Sequence, residues 1–258
     1  MIGDVVGEPG LKALEDKLHG IIKDNAVDLT VVNGENSADG FGMTEAALKR
    51  IIASGADVVT SGNHVWEKRE FWNILETGDR VLRPANYPAG CAGKGWLCVE
   101  KAGLTWVVIN LQGRELMTPI DCPFRGFDNI FKDISNIMPI IIIVDFHAES
   151  SREKEAMGYY VDGRAALVAG THTHVQTADE RILPKETAYI TDLGMTGVID
   201  SVIGMDTEIC LDRIHKQVLY RMEPAADKQI NGKSGAGVQG VIAEINAETG
   251  KAISIRRI

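Results

Sequence analysis

The sequence predicts an α/β protein that folds as one domain. Short apolar segments alternate with segments whose apolar residues recur every three or four positions, which is typical of alternating strands and helices. The 258 residues are enough to bury a sizeable core. No stretch of linker composition divides the chain, so we expect a single domain over residues 1–258. Residues 112–136 are rich in Pro, Asp, Gly and Phe, which indicates a small cap-like insertion.

The N-terminal part of the chain alternates strand and helix. Three apolar segments read as strands: Ile2–Val5, Leu29–Asn33 and Val58–Ser61. The first helix is indicated by an apolar face made of Leu11, Leu14, Leu18, Ile21 and Ile22. Two further helices are predicted at Thr44–Ser54, with Thr44 as the N-cap, and at Glu67–Glu76.

The remainder of the chain reads mainly as strands. Four apolar segments are short enough for buried strands: Trp106–Leu111, Ile140–Phe146, Ala166–Gly170 and Ala188–Thr191. In residues 235–258 apolar residues alternate with polar ones on both sides of Thr249 and Gly250. This pattern predicts a hairpin that closes a sheet.

Composition limits the classes of partner. A formal net charge of −9 argues against binding polymeric nucleic acid, which usually needs a basic face. A small phosphorylated ligand stays compatible, because bound metal ions can reverse the local field. The four cysteines form no CxxC pair, which argues against a zinc ribbon and fits a reducing cytosol. Residues 1–10 lack the apolar core of a signal peptide and no segment is long enough to span a membrane, so we expect a cytoplasmic protein.

Polar residues that can bind metals follow five of the predicted strands. In open α/β sheets, ligands bind beyond the carboxyl ends of the strands. Any one of these residues alone is more often a turn or cap residue, but four of the six histidines of the chain occupy such positions. The candidates are Asp4, Glu35, Asn36, Asn63, His64, His147, His172 and His174.

The His172-Thr173-His174 segment has a spacing that suits two metal ions. In an extended chain, residues i and i+2 point to the same face and lie about 6.6 Å apart. Two imidazoles so placed can each bind one ion of a pair that is ~3.5–4 Å apart. Two solvated loop histidines are the alternative reading of this segment.

The charges of the candidate ligands favour an anionic substrate. Asp4 and Glu35 together carry −2, whereas two divalent ions carry +4, so the site keeps a positive surplus. This surplus suits a phosphate and lowers the pKa of a bridging water. Glu35 has two carboxylate oxygens and is the candidate for a ligand shared by both ions. The nitrogen and oxygen donors suit Fe, Mn or Zn.

These residues occur in an order that resembles the calcineurin-like binuclear metallophosphoesterase superfamily. Two positions differ from the superfamily pattern, since Val6 replaces its first histidine and Glu35 replaces its bridging aspartate. With these differences, the chain resembles the bacterial 2′,3′-cyclic-nucleotide 2′-phosphodiesterase family over nearly its whole length. The segments that carry this resemblance are 2–7, 33–36, 83–86, 110–114, 145–149, 170–179 and 192–197.

The resemblance implies a four-layer α/β/β/α sandwich and a site for two metal ions, usually iron or manganese. It assigns one ion to Asp4, Glu35, Asn36 and His174, where Asn36 replaces the imidazole lost at Val6. It assigns the second ion to Glu35, Asn63, His147 and His172. The implied reaction is attack of a metal-bound hydroxide on phosphorus, with His64 protonating the leaving alkoxide. The favoured substrates are 2′,3′-cyclic nucleotides, opened to 3′-monophosphates.

Two groups of alternatives remain at this point. The same site could serve a phosphomonoesterase, a 3′,5′-cyclic nucleotide phosphodiesterase or a nuclease, although the acidic charge disfavours the nuclease. A metal-bound regulatory protein with little turnover is disfavoured, because it would need no general acid such as His64. The expected partner is a small cyclic nucleotide or another phosphoester, and no membrane. The oligomeric state stays open, with a homo-oligomer among the alternatives.

Overall fold

The computed structural model describes residues 1–134, 140–228 and 234–258, and it confirms the α/β class. In the N-terminal part the elements are β1 (Asp4–Val5), α1 (Gly7–Asp24), β2 (Val31–Asn33), α2 (Glu45–Ala53), β3 (Val58–Thr60), a 3₁₀ turn (Arg69–Phe71) and α3 (Trp72–Thr77). The middle part contains β4 (Trp96–Lys101), β5 (Leu104–Gln112), α4 (Pro123–Ile134), β6 (Ile140–His147), α5 (Ser151–Val161) and β7 (Leu167–Thr171). The last elements are β8 (Arg181–Ile182), β9 (Ala188–Ile190), β10 (Met195–Val198), α6 (Thr207–Lys216), β11 (Ala236–Gly237), β12 (Val241–Ile245) and β13 (Ala252–Arg257).

The largest sheet has six strands in the order β4-β5-β6-β7-β9-β8. Its central strands β5, β6, β7 and β9 are parallel, while β4 and β8 form antiparallel edges. Parallel neighbours need crossover connections, and α4 and α5 supply them before and after β6. The register pairs Gln112 with His147 and His147 with Thr171, so the ends of β5, β6 and β7 meet at one edge.

Short strands from the two ends of the chain lie together. Strand β2 pairs with β3 in parallel, and Ile2 bridges to both Val32 and Gly240. Strand β1 pairs in parallel with β10, which in turn pairs with β11. Strands β12 and β13 form the antiparallel hairpin predicted for the tail. These pairings bring the exits of β1, β2 and β3 toward one another.

The core consists of three main hydrophobic clusters that follow the alternation of the strands. One joins the first three α-helices to residues such as Val32 and Val59. A second contains their neighbours Val31 and Val58 together with residues of the six-stranded sheet and the C-terminal hairpin. A third joins that sheet to α4 and α5. Burial of each large apolar side chain contributes about 1.5–3 kcal/mol, so these clusters hold the strand exits in place.

Most predicted elements are confirmed, with shifts at their ends. The Thr44 hydroxyl accepts a hydrogen bond from the Ala47 amide at 3.2 Å, as expected for an N-cap. The first helix begins earlier than its apolar face indicates, at Gly7, and strand β1 is reduced to two residues. None of the helices in the described ranges is long and apolar enough to cross a membrane.

The region predicted as a cap-like insertion contains a helix that packs on the six-stranded sheet. After a loop at 113–122, α4 places Phe127, Ile130 and Ile134 in the third cluster. Their spacing of three and four residues gives the helix one apolar face, and that face packs on the sheet. The Pro, Asp and Gly content of the region obscured this spacing in the sequence. Residues 135–136 of the predicted insertion lie outside the described ranges.

Candidate metal centre

All seven predicted metal ligands lie in one connected cluster, close to the carboxyl ends of β1, β2, β3, β6 and β7. Strand β1 supplies its first residue, β6 its last, and the turns after β2, β3 and β7 supply the others. Contacts of 4 Å or less link every member to the cluster, and most of the side chains are buried. The members are Asp4, Glu35, Asn36, Asn63, His147, His172 and His174.

The arrangement around His147 indicates a cation. Its Nε2 lies 3.0 Å from Glu35 Oε1, from Asn63 Oδ1 and from His172 Nδ1. An imidazole nitrogen carries at most one hydrogen, so a proton there can satisfy only one of these three contacts. A metal ion can accept lone pairs from all of them, and the donor set suits a transition metal. The ligand atoms of Glu35, His147 and His172 all lie within 4.8 Å of one another.

The other ring nitrogen of His147 fixes its orientation. The Thr171 hydroxyl donates to Asp145 Oδ1 at 2.7 Å. It must therefore accept from His147 Nδ1, which lies 2.9 Å away. In its neutral form, with the proton on Nδ1, the ring directs the Nε2 lone pair at the cluster, as metal-binding histidines do.

Asp145 is a buried anchor whose role was not predicted from the sequence. Besides Thr171, its carboxylate accepts hydrogen bonds from the Thr60 hydroxyl and, at 3.1 Å, from the Asn33 amide. These bonds tie β2, β3, β6 and β7 together next to the cluster of candidate ligands. A carboxylate inside an apolar strand, two residues before His147 and on the same face, is the signal that could have found it.

His172 is oriented by a carboxylate at the rim. Its Nε2 lies 3.1 Å from Glu149 Oε2, so Nε2 carries the hydrogen and Nδ1 faces His147. Its backbone N–H donates to Asp4 Oδ2 at 3.2 Å. Burial and the neighbouring His147 lower the pKa of His172 to about 3, which keeps the ring neutral and able to bind a metal.

The second half of the cluster, which consists of Asp4, Asn36 and His174, contains two buried oxygens without partners. His174 donates from Nδ1 to the Ile203 carbonyl at 2.8 Å, so Nε2 is left as an acceptor beside the Asn36 amide at 3.0 Å. Among the described residues, Asp4 Oδ1 and Asn36 Oδ1 have no hydrogen-bond partner. If the Asn36 amide is turned over, its oxygen joins Glu35 Oε1 and His174 Nε2. This half of the cluster thus fits a second cation.

Val6, the position where the superfamily pattern has histidine, cannot contribute a ligand. Its side chain is buried in an apolar cluster with Met195, Met205 and Cys210. The Asn36 amide is the polar group that lies beside His174 instead. This arrangement fits the exchange of ligands that the sequence predicts.

The electrostatics of the cluster favour positive charge. Burial raises the pKa of Asp4 to about 6. Burial alone would raise the pKa of Glu35, but His147 and other imidazoles outweigh it and lower the pKa to about 2. Burial alone would lower the pKa of His147, but Glu35, Asp4 and Asp145 together raise it to about 9. A metal ion and a proton thus compete for the lone pair of His147 Nε2.

The His172–His174 segment is not extended as the sequence predicted. Strand β7 ends at Thr171, and His172 and His174 have φ values of 102° and 63°. Such values are unfavourable for residues with side chains, so the surroundings must hold them. Thr173 is the anchor, because its N–H and hydroxyl both donate to Asp192 Oδ2, at 3.1 Å and 2.7 Å. The two imidazoles reach the cluster through this turn.

Asp192 is itself held by a buried ion pair. Its Oδ2 lies 2.7 Å from Lys154 Nζ, and both side chains are at most 1% exposed. The lysine comes from α5, 38 positions earlier in the chain. This pair was missed, since nothing in the pattern of α5 marks Lys154 as buried.

His64 lies beside the cluster. Its backbone N–H donates to Glu35 Oε2 at 3.4 Å. The ring packs edge-on against Phe41, and Nδ1 lies 3.3 Å from Glu67 Oε1. The side chain is 25% exposed, unlike the fully buried His147. This placement suits a group that meets the substrate from the outer side.

Gly62 permits the close approach of the ligands. A Cβ atom at this position would lie 2.2 Å from Glu35 Oε2 and 2.3 Å from His147 Nε2. Real Cβ atoms do not come so close to other atoms. The glycine before Asn63 is therefore required by the geometry of the cluster.

Comparison with known proteins shows the family to which this chain belongs. The sequence model of a protein family, described as YmdB-like protein, matches residues 1–258. The chain belongs to the YmdB-like family. A relative from Bacillus subtilis (strain 168), named 2′,3′-cyclic-nucleotide 2′-phosphodiesterase, is 44% identical over 100% of this chain and 94% of its own length.

Two solved structures have the same fold as this YmdB-like chain. A hypothetical protein from Thermus thermophilus is 37% identical, with a TM-score of 0.89 over 100% of this chain and 96% of the other. A protein described as a novel phosphatase from Mycoplasma pneumoniae is 30% identical, with a TM-score of 0.90 over 100% and 90% of the two chains. The YmdB-like chain is an enzyme of the hydrolase class, as the sequence predicts.

Proposed function

We propose that this protein is a metal-dependent phosphodiesterase that opens 2′,3′-cyclic nucleotides to 3′-monophosphates. The observation that carries the proposal is the convergence of Glu35, Asn63 and His172 on Nε2 of His147, each at 3.0 Å. A site that binds divalent cations at the end of an α/β sheet suits an anionic phosphoester. The substrate follows from the name of the Bacillus subtilis relative.

The proposed site holds two ions, with iron or manganese favoured and zinc as the alternative. One ion would be held by Asp4, Glu35, Asn36 and His174, and the other by Glu35, Asn63, His147 and His172. Support comes from the unpartnered Asp4 oxygen and the His174 Nε2 acceptor in the first set and from the crowded nitrogen in the second. When bound, the ions supply positive charge for the phosphoryl group and lower the pKa of a water molecule.

His64 is the proposed general acid. Because Nδ1 faces the Glu67 carboxylate, Nε2 is the nitrogen left to hold a proton for the departing oxygen. The contact of the ring with Phe41 limits its rotation. Asn63, the adjacent residue, lies inside the cluster and is a proposed metal ligand. His64 lies outside the cluster and is the proposed proton donor.

We further infer that the chain is a calcineurin-like binuclear metallophosphoesterase with a four-layer α/β/β/α sandwich. The three hydrophobic clusters support this, because neighbouring residues of the same strands, such as Val31 and Val32, belong to different clusters. We also propose a cytoplasmic location, which fits four cysteines that form no disulfide.

The products of hydrolysis test the proposed function. We expect protein loaded with Mn²⁺ to convert 2′,3′-cyclic AMP to 3′-AMP, since the 2′ oxygen is the leaving group. Chromatography separates the two monophosphate isomers. A phosphatase is the second candidate, favoured by the description of the Mycoplasma pneumoniae protein. Release of 2′-AMP alone would contradict cleavage of the 2′ ester, and turnover of simple monoesters without turnover of the cyclic nucleotide would contradict the diesterase.

Replacing His64 should separate proton donation from metal binding. General-acid catalysis typically contributes ~10²–10⁴-fold, and a ribose alkoxide needs the proton far more than nitrophenolate does. We expect His64→Ala to retain its metal and to lose cyclic-nucleotide hydrolysis by about this factor. Hydrolysis of bis(p-nitrophenyl) phosphate should fall much less. Elemental analysis and both rate assays provide the measurements.

The matched control is His19→Ala, which alters an exposed histidine of α1. It should leave both rates unchanged. Loss of a metal ion from His64→Ala would make the residue a ligand. Equal loss with both substrates would assign it to phosphate binding instead.

A further inference from the structure

The side chain of Gln112 has a buried donor without an acceptor. Gln112 is 0% exposed, and its Oε1 accepts a hydrogen bond from the Tyr87 hydroxyl at 3.2 Å. Its Nε2 has no partner among the described residues. A buried polar group without a partner costs about 1–3 kcal/mol, and a ligand that accepts a hydrogen bond from Nε2 would remove this cost.

The position of Gln112 relates this donor to the metal centre. Gln112 ends β5 and is paired with His147, which ends the parallel strand β6. Paired residues of neighbouring strands direct their side chains to the same face, about 4.8 Å apart. The side chains of Gln112 and His147 therefore leave the same face of the sheet at the same edge.

Neighbouring groups hold Gln112 firmly. The Asn86 side chain accepts from the Gln112 N–H at 2.9 Å and donates to the Gln112 carbonyl at 2.8 Å. Tyr87, which binds the Gln112 amide oxygen, packs edge-on against Trp66 at 5.4 Å between ring centres. With its backbone and one end of its amide fixed, Gln112 cannot turn its Nε2 toward another acceptor. Such fixed donors are characteristic of ligand sites.

We propose that Gln112 binds the substrate, donating from Nε2 to a non-bridging oxygen of the phosphoryl group held at the metal centre. The inference rests on the proposed function and names a contact that the ligand set does not include. A phosphoryl oxygen is an anionic acceptor, and a hydrogen bond to it is stronger than one between neutral groups. Asn86 and Tyr87 act through Gln112 and are positioning residues.

Binding of inorganic phosphate to the Mn²⁺-loaded protein tests this contact without requiring turnover. Calorimetry should show phosphate affinity weakened about 10- to 100-fold in Gln112→Met, since a hydrogen bond to a charged group is lost. Gln112→Glu keeps the shape but turns the donor into an anion, so its affinity should fall further. Tyr87→Phe should show a smaller loss, because the amide stays in place but is less well fixed. Metal content should equal that of the wild type in all three variants.

Activity assays and a control complete the test. Gln217→Met makes the same chemical change at an exposed site and should bind phosphate normally. The kcat/KM values for 2′,3′-cyclic AMP and for bis(p-nitrophenyl) phosphate should fall by similar factors in Gln112→Met, because both substrates contain the phosphoryl group. If only the cyclic nucleotide is affected, Gln112 contacts the base or ribose and the proposal is wrong.

Failure of this inference can be distinguished from failure of the proposed function. A wild-type protein that hydrolyses phosphodiesters, with Gln112→Met and Gln112→Glu binding phosphate as tightly as it does, overturns the inference alone. A wild-type protein that binds metal but hydrolyses no phosphodiester overturns the function, while the phosphate titrations still decide whether Gln112 binds the anion. If Gln112→Met is unstable, the titrations of Gln112→Glu and Tyr87→Phe decide.

Discussion

The Gly62→Ala variant is expected to lose its metal and its activity while keeping its fold. The new Cβ atom would lie 2.2 Å from Glu35 Oε2 and 2.3 Å from His147 Nε2, so both side chains must move. Both are buried, and His147 is also bound to Thr171. Metal sites tolerate displacements of about 0.5 Å, and a misplacement of 1 Å can reduce a rate about 100-fold. We expect at least this loss in kcat/KM for cyclic nucleotides.

The control for this substitution is Gly20→Ala. Gly20 lies in α1, and a Cβ atom there would meet nothing within 4 Å. Alanine is favoured over glycine in a helix by about 1 kcal/mol, so this variant should be at least as stable as the wild type. Elemental analysis, thermal melting and hydrolysis rates should be measured on both variants. Full metal content and activity in Gly62→Ala would contradict the geometry described for the cluster.

The Lys154→Met variant is expected to be strongly destabilised and to lose activity even where it remains folded. Lys154 pairs with Asp192 at 2.7 Å in a buried position. Removal of one partner of a buried pair leaves an uncompensated charge and typically costs about 3–5 kcal/mol. Asp192 also anchors Thr173, which lies between two histidines with positive φ. A weakened anchor should therefore lower metal affinity as well.

Urea unfolding and metal titration check this prediction. The double variant Lys154→Met/Asp192→Asn removes the unpaired charge and should recover part of the lost stability. Lys49→Met breaks an exposed pair with Glu45 and should change the free energy of unfolding by less than about 1 kcal/mol. If Lys154→Met is no less stable than Lys49→Met, the buried pair does not hold the turn as described.

Local patterns in the sequence predicted much of the fold and the site. The apolar face of the first helix and the Thr44 cap depend on residues close in sequence, so they could be recognised directly. The gathering of the candidate ligands followed from one topological rule, because the carboxyl ends of parallel strands share an edge. The contact between Asn63 and His147, which are 84 positions apart, lies beyond this rule, because β3 and β6 belong to different sheets.

The features that the sequence did not predict depend on distant partners or on backbone conformation. Nothing near Lys154 indicates that it is buried, since its partner Asp192 lies in another part of the chain. The positive φ values of His172 and His174 depend on that same anchor, so an extended segment was the natural but wrong expectation. Helix α4 was obscured by composition, although the spacing of its apolar residues was present.

The metal content of the wild-type protein tests the central claim most directly. After mild reconstitution with Mn²⁺ and Fe²⁺, elemental analysis by plasma mass spectrometry should find close to two transition-metal ions per chain. This expectation rests on the two halves of the cluster, one crowded around His147 Nε2 and the other containing the unpartnered Asp4 oxygen and the His174 Nε2 acceptor. A stoichiometry near zero with both metals supplied would contradict the two-metal site.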